Sequence, residues 1–184
     1  VQMGYLKRLA ARLKMKAAVA WIDDYLAGTD DKLCIFGWHN KLIDALHRRY
    51  PASVVVDGGT VGRDRQAAID QFRYDPKTRF FIGNIQAGGT GIDGLQYACH
   101  KGVVLELDWR PGQMLQMEAR LNRIGQTRPV WWHYLIADGT IEDYLCELLQ
   151  AKQVIIEQVL DGTTSDDRDY NLYDALQARL MEAA

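Results

Sequence analysis

The sequence predicts one α/β domain, a parallel β-sheet sandwiched by helices, and three observations carry that prediction. Apolar runs rich in β-branched residues recur at 33–37, 53–57, 79–84, 102–107 and 130–137, the pattern of strands buried on both faces. Stretches with apolar residues every three or four positions stand between and after them, at 40–49, 63–73, 113–124 and 140–160. The 184 residues, 48% hydrophobic and 25% charged, have the size and composition of one globular unit rather than of a disordered or fibrous chain. Strands alternating with helices call for right-handed crossovers and a parallel sheet.

Before the first strand, residues 1–22 carry Lys7, Arg8, Arg12, Lys14 and Lys16 and no acid, a balance of +5. Residues 1–15 read as a linker or as the start of the domain, with basic side chains that either meet phosphate or form a solvated helix face. The run at 130–137 places Trp131, Trp132 and Tyr134 in a strand with one face in the core and the other under a helix. The helix at 140–160 is the best defined, because Ile141, Tyr144, Leu145, Leu148, Leu149, Ile155, Ile156, Val159 and Leu160 share one side. Thr140 and Asp143 give it a start like a capping box, and Asp161-Gly162 a stop. Residues 163–184 read as a C-terminal extension, a polar loop before a short helix around 172–181; residues 161–184 carry a balance of −4.

Several classes fall away. The net charge of −2 argues against a protein that simply coats nucleic acid. Cys34, Cys99 and Cys146 form no CxxC pair, so neither a disulfide framework nor a cysteine zinc site is expected, and a reducing, cytoplasmic setting fits. His47, His100 and His133 share no ligand spacing, so no metal held by this chain is expected. The longest apolar runs are too short to span a bilayer, and no membrane partner is expected.

In open parallel sheets, ligands bind beyond the carboxyl ends of the strands. The third strand runs into Gln86-Ala87-Gly88-Gly89-Thr90-Gly91-Ile92-Asp93, whose glycines either let backbone N–H groups approach an anion or serve a tight turn. On the helix at 113–124, Met114, Met117, Leu121 and Ile124 make a core stripe. Gln113, Gln116, Arg120 and Arg123 make a second stripe at the same spacing, which aims two guanidiniums and two amides one way and suits the charge of a transferring phosphoryl group. Trp38 and His39 follow the first strand, where stacking or phosphate contact competes with a structural role.

Gln116-Met117-Glu118-Ala119-Arg120-Leu121-Asn122-Arg123-Ile124-Gly125-Gln126 resembles the sixth helicase motif of Swi/Snf-like DNA translocases: Q, three residues, R, two residues, R-I-G-Q. Other motifs of that family's second RecA-like lobe appear in order. Residues 36–46 resemble the fourth motif, Asp57-Gly58 through Arg65 and Phe72 the D-G-[ST]…R…F segment, 87–93 the fifth, and Asp108-Trp109-Arg110-Pro111 the W-N-P element. Residues 133–143 are similar to a run of the annealing-helicase branch. Asn122, Arg110, Thr90 and Asp93 depart from the pattern, where the family has histidine, asparagine, an apolar residue and, in this branch, asparagine.

The resemblance implies a RecA-like lobe at 16–162. It implies that Arg120 and Arg123 act as arginine fingers, that Gln116 positions that face, and that Gly89, Gly91 and Asp93 couple nucleotide to DNA. Trp38, His39, Trp109 and Arg110 fall at positions that approach DNA, duplex or branched. Neither G-x-x-x-x-G-K-[ST] nor an acidic metal motif occurs in the sequence, so ATP and Mg are expected to be held mainly by an N-terminal RecA-like lobe of the same polypeptide. Alone, the chain reads as half a motor and is expected to be inactive. Compact motif spacing favours a bacterial or viral source, with a nuclear setting if the source is eukaryotic. Two rivals stand beside this reading: a self-sufficient nucleotide-binding α/β enzyme using residues 88–93 as its phosphate loop, and a non-catalytic interaction domain.

Overall fold

The computed structural model of the chain describes residues 2–88 and 91–160, with side chains placed for 4–86 and 91–150. Gly89, Thr90 and the extension at 163–184 lie outside the described residues. Five parallel strands form one sheet: β1 (Leu33–Gly37), β2 (Ser53–Val56), β3 (Phe80–Asn84), β4 (Lys101–Val104) and β5 (Trp131–Tyr134), in the order β2-β3-β1-β4-β5. The helices are α1 (Gln2–Gly28), α2 (Asn40–Arg49), α3 (Gly62–Tyr74), the one-turn α4 (Ile85–Gly88), α5 (Pro111–Glu118) and α6 (Ile141–Leu160), with a 3-10 turn at Leu95–Tyr97. This is the parallel α/β sheet with helices on both faces that the strand and helix spacing predicts, and the RecA-like lobe that the resemblance implies.

Strand periodicity sorts the core. Leu33 and Ile35 of β1, Phe80 and Ile82 of β3 and Val103 of β4 face one side, where Ala11, Ala18 and Ile22 of α1 and Leu42, Ile43 and Leu46 of α2 cover them. Cys34, Phe36, Phe81 and Val104 face the other, against Ile69 and Phe72 of α3, Met114 and Met117 of α5 and Leu145 and Leu148 of α6. The central strands β1 and β3 are buried at every position, as apolar runs on a doubly covered sheet should be.

Three findings bear on the expectations. First, of the two readings of residues 1–15, linker or start of the domain, the structure fits the second: they lie in a 27-residue helix whose Ala10, Ala11, Lys14, Ala18 and Ile22 form a buried stripe. Small alanines and a lysine in that stripe hide its amphipathicity from a reading by apolar spacing. Second, β5 is an edge strand and only partly covered. Trp132 packs on Gly102, where a Cβ would lie 2.2 Å from its ring, and His133 lies 5.0 Å from the Trp21 ring of α1, while Trp131 and Tyr134 are exposed.

Third, the helix expected at 113–124 begins two residues earlier, with Pro111 fitting its first turn, and ends at Glu118. The Leu121 carbonyl, which a continuing helix would offer to the Gly125 amide, instead accepts the Arg123 amide at 3.1 Å and the Gln126 side chain at 3.5 Å. Gly125 then turns the chain at φ +97° directly against Tyr97. Leu121 stays buried, but Ile124, expected in the core stripe, is 94% exposed. At α6 the expected start is present: Asp143 accepts the Gly139 and Thr140 amides at 2.7 and 3.2 Å, and Thr140 Oγ1 accepts the Glu142 amide at 3.2 Å.

Candidate functional site

Two clusters of the expected site residues assemble beyond the carboxyl ends of the strands. The first is built on Glu106, which lies just past β4 and is buried at 1% exposure. Its Oε2 accepts the backbone amides of Trp38 and His39 at 2.8 and 2.9 Å, and its Oε1 meets His39 Nδ1 at 2.5 Å. Asn84, at the end of β3, donates to the Trp38 carbonyl and to Asn40 Oδ1, each at 2.8 Å, and so ties β3 to β1 and to the start of α2. A polar group inside an apolar run must find partners when buried, and here those partners fix the turn leaving β1.

The Trp38 ring is half-buried between cations, with Lys7 Nζ 4.5 Å and the Arg110 guanidinium 5.6 Å from its centroid. Arg110 is also tied to the fully buried Asp108, Nη2 to Oδ2 at 3.0 Å, yet stays half exposed. Burial pushes the Lys7 ammonium below its ordinary value, and the nearby Asp108 and Glu106 carboxylates partly oppose that. Trp109 is exposed beside Arg110.

The second cluster joins the turn after α5 to the segment at 91–97. Arg120 Nη1 donates to the Ile92 carbonyl at 3.0 Å, while its buried Nε has no partner among the described residues. Arg123 is 43% exposed and reaches Asp93 at 3.6 Å. Burial first, and then the Arg123 charge, push the Arg120 guanidinium below its ordinary value, with Asp93 opposing. Gln96 Nε2 donates to Asp93 Oδ1 at 3.2 Å and its Oε1 accepts the Gly94 amide at 3.0 Å. Gln126 is the brace: its Nε2 donates to the carbonyls of Gln96 and Cys99 at 3.1 and 2.9 Å, and its Oε1 accepts the amides of Thr127 and Arg128. Gly91 has φ +69° beside Arg65, whose Nη2 donates to the Thr60 carbonyl.

Of the expected residues, Arg120, Arg123 and Asp93 are brought together, and so are Trp38, His39 and Arg110. Gln116 is exposed near the end of α5, and with the helix ending at Glu118 it no longer shares a helical stripe with the two arginines. Apolar spacing alone missed Glu106, Asn84, Gln96 and Gln126. Glu106 and Asn84 carried a usable signal, since each interrupts or ends an apolar run. Among the described residues no group of three or more His, Cys, Asp or Glu is arranged to hold a metal ion, and no helix is long and apolar enough to cross a membrane.

The parallel five-stranded sheet, with Arg120 and Arg123 on a turn braced against the segment after β3, has the arrangement that the motif resemblance implies. Comparison with known proteins agrees. Residues 15–125 match the helicase conserved C-terminal domain, and the chain belongs to that family. It is 29% identical over 94% of its length to a SWI/SNF-related matrix-associated actin-dependent regulator of chromatin subfamily A-like protein 1 from Xenopus laevis, covering 19% of that protein. It is 32% identical over 91% of its length to the DNA annealing helicase and endonuclease ZRANB3 from Mus musculus, covering 17% of it. The chain thus spans about a fifth of the length of these relatives. The C-terminal part of the Fun30 ATPase domain superposes with a TM-score of 0.67 at 25% identity, over 88% of this chain and 47% of that one. The chain is thus a helicase C-terminal domain, similar to those of SWI/SNF-related relatives.

Proposed function

We propose that this lobe completes the ATP site of a DNA translocase, with Arg120 and Arg123 as arginine fingers. The observation that carries the reading is the pair itself. Two neighbouring cations, one with a buried Nε that has no partner among the described residues and the other 43% exposed, share the Asp93 carboxylate, 3.6 Å from Arg123. Gathering like charges in this way costs free energy that a polyanion would relieve. The donor set fits the γ end of ATP, which supplies the transferable phosphoryl group, and Arg120 and Arg123 would hold it. Magnesium and the inner phosphates fall to an N-terminal RecA-like lobe of the same polypeptide, in keeping with the absence of a phosphate-loop motif from this sequence.

Each residue then has a physical task. Ile92 anchors Arg120, so that finger is pre-positioned and loses little freedom on engagement. Asp93 restrains Arg123 loosely at 3.6 Å and releases it when a stronger anion arrives. Gln126 and Gln96 bind the finger turn to the 91–97 segment, so that displacement of the arginines moves Asp93 and Gly91, with Gly89 adjacent in sequence. Gln116 flanks this face. On the other cluster, half-exposed Arg110 and exposed Trp109, backed by Trp38 and His39, meet the DNA backbone, duplex or branched.

The test is Arg123→Ala in the full-length protein. DNA-stimulated ATP hydrolysis should fall by about 10³-fold or more while the fold, followed by circular dichroism, is unchanged. Near-normal turnover would sink the finger assignment. Calorimetry of the isolated 184-residue chain with ATP should show little or no binding; tight binding would favour a self-sufficient nucleotide site instead.

A further inference from the structure

Beside the two arginines stands a stack of aromatic and cationic side chains that phosphate binding alone does not use. Tyr97 closes the 3-10 turn at Leu95–Tyr97 and is 59% exposed, although its ring is fixed on two sides. The Arg73 guanidinium, from the last turn of α3, lies over the Tyr97 ring at 4.8 Å and over the exposed Tyr74 ring at 4.9 Å. Gly94, at φ +109°, leaves room for that arginine, since a Cβ there would lie 3.3 Å from its Cδ and Nη1. Gly125 leaves room for the ring, since a Cβ there would lie 2.5 Å from Tyr97 Cε1. A cation therefore backs one face of the phenol and the turn at Gly125 backs one edge, so its exposed area is the opposite face.

The Gln126 amide donates to the Arg123 carbonyl at 3.0 Å, closing a turn with Ile124 and Gly125 at its corner. Ile124, almost fully exposed, and the Tyr97 ring thus stand within one turn of Arg123. Asp93 links the two places: it reaches Arg123 and accepts from Gln96, the neighbour of Tyr97 in sequence. Cation, carboxylate and aromatic ring follow in the order of phosphate, ribose hydroxyls and base in a nucleoside triphosphate. A free phosphate would leave the ring and Ile124 unused. We infer that Tyr97 is a stacking platform for the purine base of ATP, with Ile124 as a second apolar wall, and that the pair sets base preference. This inference rests on the reading of Arg120 and Arg123 as arginine fingers and extends it to the far end of the nucleotide. A purine covers more of a π face than a pyrimidine does. The ring is held before nucleotide arrives, so stacking costs little ordering.

The experiment compares the full-length wild type with Tyr97→Leu, which keeps apolar bulk against Gly125 and removes the π face. Calorimetry with adenylyl imidodiphosphate, a non-hydrolysable ATP analogue, should show a dissociation constant raised about fivefold or more. KM for ATP should rise with it, while kcat at saturating ATP stays within about twofold. The wild type should prefer ATP to UTP, and Tyr97→Leu should lose most of that preference, whereas Tyr97→Phe should keep both affinity and preference. Ile124→Ser, at a side chain too exposed to support the fold, should weaken binding of the analogue in the same direction. Unchanged affinity for the analogue in Tyr97→Leu and Ile124→Ser overturns the platform while the finger reading stands. So does a fall in kcat shared equally by ATP and UTP at unchanged affinity, which assigns the surface to contact between lobes. Failure of the finger reading is seen separately, as near-normal turnover in Arg123→Ala.

Discussion

The buried ion pair Lys14–Glu142 fastens α1 to the start of α6, and neutralising one partner shows how much the leading helix depends on it. Lys14 Nζ donates to both Glu142 oxygens at 2.6 Å and to the Leu135 carbonyl at 2.7 Å, while Glu142 Oε2 also accepts the Ala137 amide at 2.9 Å. Glu142→Gln keeps the shape and an acceptor for Ala137 but strands the ammonium, which is only 7% exposed. Breaking a buried pair from one side costs about 3–5 kcal/mol. The loss has a ceiling, because Lys14 can shed its proton: moving from its usual 10.5 to neutral pH costs about 5 kcal/mol at 1.36 kcal/mol per unit.

In the wild type, burial already pushes Lys14 below 10.5, with Glu142 pulling it back. Removing that pull lowers the folded value further. The unfolded chain then binds more protons than the folded one between that value and 10.5, so the stability of the variant rises with pH across the window, more steeply than that of the wild type. In urea titrations with a slope near 2 kcal/mol/M, the midpoint should drop by about 1.5–2.5 M at neutral pH and recover partly by about pH 9. The double variant Lys14→Met, Glu142→Gln should regain much of the loss, since no charge is then stranded. A loss below about 1 kcal/mol, or a double variant no more stable than the single, would refute the reasoning.

Two further outcomes follow from the same geometry. Glu106→Gln places one amide oxygen where three donors converge, so it should cost about 1–3 kcal/mol and shift tryptophan emission through Trp38; an unchanged melting temperature would show that the Glu106 bonds do not hold that turn. At the opposite end of the sheet, burial raises the Asp31 carboxyl, but hydrogen bonds from Lys101 and Arg128 outweigh it and leave the group below 3.8. The stability it adds is therefore present above pH 3.8 and lost as pH falls through the lower folded value. Acid titration of Asp31→Asn should show a shallower loss below that point, and an identical acid limb would discount the pairing.

The strand at 33–37 and the helix at 40–49 were legible to the residue, because each had one uninterrupted pattern and a sharp change of composition at both ends. The motif order identified the class of lobe, because the spacing of Arg120, Arg123 and Gln126 is specific even where the local conformation is misread. That conformation was not legible. A period of three or four continued through Ile124, but the helix ends at Glu118 and the turn after it is braced by the Gln126 side chain, which reaches carbonyls of the 96–99 segment. No local pattern announces a partner from elsewhere in the chain. The same holds for α1, whose stripe reads as polar until Glu142 arrives from the far end of the domain to neutralise Lys14.

By itself, then, the sequence determined which residues alternate, which helices face the sheet and which family the motifs belong to, since those depend on periodicity and spacing along the chain. Only the tertiary structure decided where the polar groups point. A buried carboxylate, amide or ammonium takes its role from the donor or acceptor that folding brings opposite it, and Glu106, Asn84 and Lys14 find theirs across 44 to 128 residues of sequence. As a string, the basic leading segment read as linker, solvated face or start of the domain; folded, it is a helix pinned to the core.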